Sequence, residues 1–104
     1  MLIHTVVFWL KKDLSEDQKV VFTNEVKTLG EISSVESFHL GTPAPTPKRP
    51  VIEDSYDYAI TVVLKDMDAH DDYQVDPIHL DFIDKCKDMW ERVLHEENLC
   101  MLTI

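Results

Sequence analysis

The sequence predicts a single α+β domain over residues 1–104, ferredoxin-like in its β-α-β-β-α-β order, with a four-stranded antiparallel sheet. Three observations carry this reading: an opening strand that is apolar on both faces, a capping box followed by an amphipathic helix, and a second amphipathic helix opened by Asp76-Pro77 after two further strands. The first strand runs from Leu2 to Leu10. Alternation puts His4, Val6, Phe8 and Leu10 on one face and Ile3, Thr5, Val7 and Trp9 on the other, and neither set suits solvent. Two covering layers are therefore needed, while the chain carries helix for only one. A second copy of the chain is the simplest cover, so the expected assembly is a homodimer joined through the bare sheet face.

The remaining elements follow from local chemistry. Ser15-Glu16-Asp17-Gln18 forms the capping box, and Gln18, Phe22, Val26 and Leu29 make an inward stripe, with Gly30 expected as a left-handed stop. A second strand spans about Val35 to Thr42 and directs Phe38 and Leu40 to one side. Pro43, Pro45, Pro47 and Pro50 then stiffen a connector. Its Pro47-Lys48-Arg49-Pro50 matches a PxxP ligand, but the run fits better as cover for a sheet edge or a contact to the partner. The third strand covers about Tyr56 to Lys65. Met67 to Val75 predicts a short helix, and Asp76 caps a long one with proline at its first position. That helix is expected to carry Ile78, Phe82, Cys86, Met89 and Val93 on one stripe and His79, Ile83 and Trp90 on the next. The last strand is then placed at Leu99 to Ile104.

Composition narrows the function classes. Twenty acidic against ten basic residues give a net charge of −10, which repels phosphate backbones and anionic lipid, so neither nucleic acid nor membrane is an expected partner. No apolar run approaches the ~20 residues of a membrane helix. The start lacks the features of a secretory signal, which suggests a soluble cytoplasmic protein. Two cysteines, Cys86 and Cys100, show neither CxxC nor zinc spacing and are expected as reduced thiols. Asp66, Asp68, His70, Asp71, Asp72 and Asp76 crowd one stretch, so a metal site must be considered, but a calcium loop starting at Asp66 would need glycine at Asp71 and glutamate at Pro77, and a solvated acidic face fits better. No metal or cofactor is expected, and His39, His70 and His95 have no partner pattern.

The segments Leu2-Ile3-His4-Thr5-Val6-Val7-Phe8 and Asp76-Pro77-Ile78-His79-Leu80-Asp81-Phe82, with the Ser15 helix and the Tyr56 strand, resemble the stress-responsive α/β-barrel (Dabb) domain family over nearly the whole chain. The resemblance implies a homodimeric barrel. It also implies likeness to plant polyketide cyclases of the olivetolic acid type, which run a cofactor-free aldol condensation between sheet and helices. Matched to that pattern, His4, Tyr73, His79 and Trp90 fall on site positions, whereas Tyr58 and Val26 stand where those cyclases have histidine and tyrosine.

His79, His4 and Tyr73 are thus the candidate catalytic residues, and Val6, Phe8, Phe22, Tyr58, Ile60 and Trp90 the candidate ligand-binding walls. An imidazole can take a proton next to a carbonyl while a phenol donates to the enolate oxygen. His79 opens a helix, where the dipole disfavours imidazolium, and so is the expected neutral base, with His4 orienting or polarising. The same residues also fit structural roles, as satisfied core polar groups and core aromatics. The expected function is binding of a small hydrophobic or aromatic molecule between sheet and helices, with His/Tyr acid-base chemistry. The alternatives are a structural or stress-associated dimer without catalysis, and a cofactor-independent monooxygenase or polyketide cyclase-like enzyme. The residues alone do not decide whether the protein is an enzyme.

Overall fold

The computed structural model describes residues 1–101. Its elements are β1 (Leu2–Leu10), α1 (Glu16–Lys27), a 3-10 turn (Thr28–Glu31), β2 (Val35–Gly41), β3 (Tyr58–Leu64), α2 (Met67–Val75), α3 (Pro77–Cys86) and β4 (Trp90–Leu99). The strands form one antiparallel sheet in the order β2-β3-β1-β4, as the ferredoxin-like order requires. In β1 the face carrying His4, Val6, Phe8 and Leu10 is buried against the helices, while Ile3, Thr5 and Val7 on the other face are only half-covered. The uncovered face is hollowed to about 260 Å³ between Thr5, Val7, Trp9, Glu53, Tyr56, Leu94 and Glu96.

Helix α1 starts where the sequence places it. The Ser15 hydroxyl accepts from the Gln18 amide at 3.1 Å and the Gln18 side chain accepts from the Ser15 amide at 2.8 Å. Gln18 is therefore spent on the cap and stays exposed, and Phe22, Val26 and Leu29 form the buried stripe. Gly30 needs no left-handed backbone, since no described glycine has a positive φ. It sits in the 3-10 turn with the Phe38 side chain 3.2 Å from where a Cβ would stand, so close approach is what keeps it small.

The C-terminal part departs from expectation. The last helix ends at Cys86, and Trp90, expected on that helix, instead begins β4. A tight turn makes the change: the Lys87 amide bonds the Ile83 carbonyl at 2.9 Å, the Met89 amide bonds the Cys86 carbonyl at 2.8 Å, and the Lys11 amide then captures the Met89 carbonyl at 2.9 Å. The chain is thereby handed to the open edge of β1, whose backbone groups would otherwise lack ladder partners. Leu99 closes β4, Cys100 lies beyond it, and residues 102–104 of the expected last strand lie outside the described residues.

Between sheet and helices, Phe8 is the hub of the core, with ring centroids 5.3 Å from Phe22, 6.1 Å from Phe82 and 5.4 Å from Trp90. The proline connector ends in a latch. The Trp9 indole donates to the Ser55 hydroxyl at 2.9 Å, the Asp57 carboxylate accepts from the Leu10 amide at 2.7 Å, and the Arg92 guanidinium stacks 4.1 Å from the Trp9 ring centroid. No helix among the described residues is long and apolar enough to cross a membrane.

Candidate functional site

Four elements converge on the end of the sheet that holds His4. In the β1–β4 register His4 lies opposite Glu97, Val6 opposite His95 and Phe8 opposite Val93, so these side chains share the helix-covered face. Asp66 caps α2, its carboxylate accepting from the Ala69 amide at 2.9 Å, and the helix lays His70 and Tyr73, three residues apart, over His4. Asp76 caps α3 by accepting from the Ile78 amide at 2.8 Å and so sets His79 in the first turn.

These side chains enclose a small cavity of about 30 Å³. Of the residues expected from sequence, His4, Tyr73, His79, Val6, Phe8, Ile60 and Trp90 line it. Phe22 and Tyr58 do not; they pack on each other at 5.5 Å, with Phe22 fully buried in the core. Leu29, Phe82, Ile83, Val93 and His95 complete the wall.

His4 is 1% exposed and paired. Its Nδ1 donates to Glu97 Oε1 at 2.5 Å, which leaves Nε2 as the lone-pair nitrogen of the neutral ring. Burial pulls the His4 pKa below the ordinary imidazole value, the Glu97 carboxylate pushes it back up, and the neighbouring imidazoles of His95 and His70 add to the lowering. Tyr73 crosses His4 edge-on at 5.3 Å between ring centroids and stacks with His79 at 4.9 Å. Burial, with the Glu97 charge, pushes the Tyr73 phenol far above its usual range, so it stays a proton donor. Burial likewise lowers the pKa of His79, with His4 next in effect. The Tyr73 hydroxyl and His79 Nδ1 are both buried without a protein partner.

From sequence, Glu97 and His95 are not expected at the site and His70 is considered only within the acidic stretch of residues 66–76, yet the fold gathers all three beside His4. Ring centroids of His70 and His95 each lie 5.7 Å from that of His4. His70 Nε2 is 3.7 Å from Glu97 Oε2, and His95 Nδ1 is 4.0 Å from Glu97 Oε1. His4, His70 and Glu97 each offer one ligand-type atom, all within 4.8 Å of one another. The alternation Val93, His95, Glu97, Leu99 was the available signal, hidden by the helical spacing of Cys86, Met89, Trp90 and Val93.

The sequence profile of the stress responsive A/B barrel domain matches residues 2–97. Among solved structures, the chain is similar to a hydroxynitrile lyase from Passiflora edulis at 17% identity and a TM-score of 0.81, covering 99% of this chain and 95% of that one. A dimeric ferredoxin-like protein from Thermobifida fusca aligns at 17% identity and TM-score 0.76, over 95% and 90% of the two chains. A protein of the same barrel-domain family from Mesorhizobium loti, also ferredoxin-like, aligns at 25% identity and TM-score 0.74, over 96% of each. Among curated proteins, none matches the sequence.

Proposed function

For a chain that belongs to the stress responsive A/B barrel (Dabb) domain family, we propose binding of a small, largely apolar or aromatic carbonyl compound between sheet and helices, with cofactor-free proton transfer there. One observation carries the reading: the Tyr73 hydroxyl and His79 Nδ1, buried and without protein partners, belong to residues that line one cavity together with His4. Unpaired buried polar atoms destabilise a fold, and a ligand oxygen would satisfy them. Glu97 holds His4 in the tautomer with a basic Nε2 and stabilises the imidazolium that proton uptake creates. Tyr73, kept neutral, donates to the developing oxyanion. His79 supplies a second polar contact instead of the base expected from sequence, because the carboxylate lies on His4.

A cavity of about 30 Å³ admits a polar head group, so the body of the ligand rests against the partly buried Ile83, Trp90 and Val93. The same small volume favours a second reading, a dimer whose core is filled and whose role is structural. In either case the half-covered sheet face, with Leu94 42% exposed, supports closure by a second copy. Titration with 4-hydroxybenzaldehyde, followed by NMR, separates the two readings. Shifts confined to His4, Tyr73 and His79, weakened about tenfold by Tyr73→Phe, support binding. No shift at millimolar ligand would leave only the structural role.

A further inference from the structure

We propose that His4, His70 and Glu97 form a site for a borderline divalent first-row metal ion of the zinc class, with His95 beside it as a further imidazole. The donors come from three elements, β1, α2 and β4, so the site is built by tertiary structure. Two imidazoles and one carboxylate suit zinc, cobalt or nickel; magnesium and calcium prefer all-oxygen shells. Tetrahedral coordination with bonds of about 2.1 Å places ligand atoms ~3.4 Å apart. The present separations reach 4.8 Å, and His4 and Glu97 lie closer than that spacing, at 2.5 Å. Small rotations of His70 and of the 35% exposed Glu97 side chain close the difference.

The surroundings of His70 support ligation. Its Nδ1 contacts the Asp71 carboxylate at 3.2 Å, the outer-shell arrangement that fixes the tautomer and leaves Nε2 as the lone-pair nitrogen. Nε2 is the atom that faces Glu97, and its other neighbour is the Gln74 amide nitrogen at 3.5 Å, a weak contact that a metal bond replaces. A net charge of −10 favours cation capture. Three protein ligands leave a fourth position for His95 or water, next to the cavity that His4 and His95 line. A metal ion bound at His4 and Glu97 would replace the proton between them, so the metal-bound form and the proton-transferring form proposed above exclude each other at any one time.

The test is calorimetric titration of the chelator-treated full chain with Zn²⁺, together with the visible absorption of Co²⁺ added alone. One ion per chain is expected. Glu97→Gln and His70→Ala should each weaken binding at least about tenfold, whereas His39→Ala, on exposed β2 backbone away from the cluster, should leave it unchanged. Circular dichroism checks each fold, and the isosteric Glu97→Gln keeps the test decisive if His70→Ala unfolds. Wild-type protein that takes up no zinc, Glu97→Gln that binds like wild type, or His39→Ala that weakens binding equally would overturn the site. Because no carbonyl ligand is present in these titrations, their failure leaves the proton-transfer reading standing, and failure of the aldehyde titration leaves the metal site standing.

Discussion

Replacing Tyr73 by phenylalanine should raise stability and lower ligand affinity together. The Tyr73 ring is fully buried, touching His4 and His79, while its hydroxyl has no protein partner. Phenylalanine keeps the ring contacts and removes only the unsatisfied oxygen. An unpaired buried hydroxyl costs about 1–3 kcal/mol. The cavity of about 30 Å³ leaves room for one water to relieve part of that cost, so the gain should fall near the low end, about 1 kcal/mol. In a domain of this size 1 kcal/mol moves the melting temperature by about 4–8 °C. Thermal and urea unfolding of both proteins, without ligand, measure it. Aldehyde titration of the same samples measures the opposite change in affinity. A Tyr73→Phe protein less stable than wild type would show that the hydroxyl serves the fold, and the argument from orphaned polar atoms would collapse with it.

Further outcomes follow from other parts of the molecule. Val7 faces the half-covered side of the sheet between Ala59 and Leu94, so Val7→Asp should weaken association of two copies by at least about 3 kcal/mol; sedimentation at micromolar concentration should find dimeric wild type and monomeric variant, and a dimeric variant would exclude this face. Gly30→Ala drives a methyl group to 3.2 Å from Phe38 and should cost about 1 kcal/mol in urea unfolding; an unchanged midpoint would mean that Phe38 yields freely. Burial lowers the pKa of His79 below the ordinary 6.5, so the unfolded chain binds more protons and stability must fall as pH drops below that value. His79→Gln should flatten the stability profile there, and an unaltered slope would assign the effect to His4 alone.

The parts of the fold legible from sequence were those whose signal is local. The Ser15 capping box, the Asp76-Pro77 helix start and the double-faced alternation of β1 each announce themselves within a few residues, and all appear in the structure. The helix end at Cys86 did not, because Cys86, Met89, Trp90 and Val93 also fit a helical stripe and Glu91, Arg92, Glu96 and Glu97 favour helix intrinsically. What converts this stretch to strand is the unpaired edge of β1, a partner eighty or more residues away in sequence. The cost of that miss was specific: with β4 unrecognised, His95 and Glu97 could not be paired with His4. Phe22 and Tyr58 were misplaced for a different reason, since the face of an aromatic residue is readable from periodicity but the distribution of empty volume is not.

The bond between His4 and Glu97 joins residues 93 positions apart. A chain emerging from the ribosome therefore makes the first of these partners long before the second exists. Until β4 docks, the imidazole has no carboxylate and the cavity lacks the wall of Trp90, Val93 and His95. Such distant closure is entropically slow, so competence at this centre requires that β4 be made and docked: a product terminated before β4 could retain α1, α2 and α3 and still be inert.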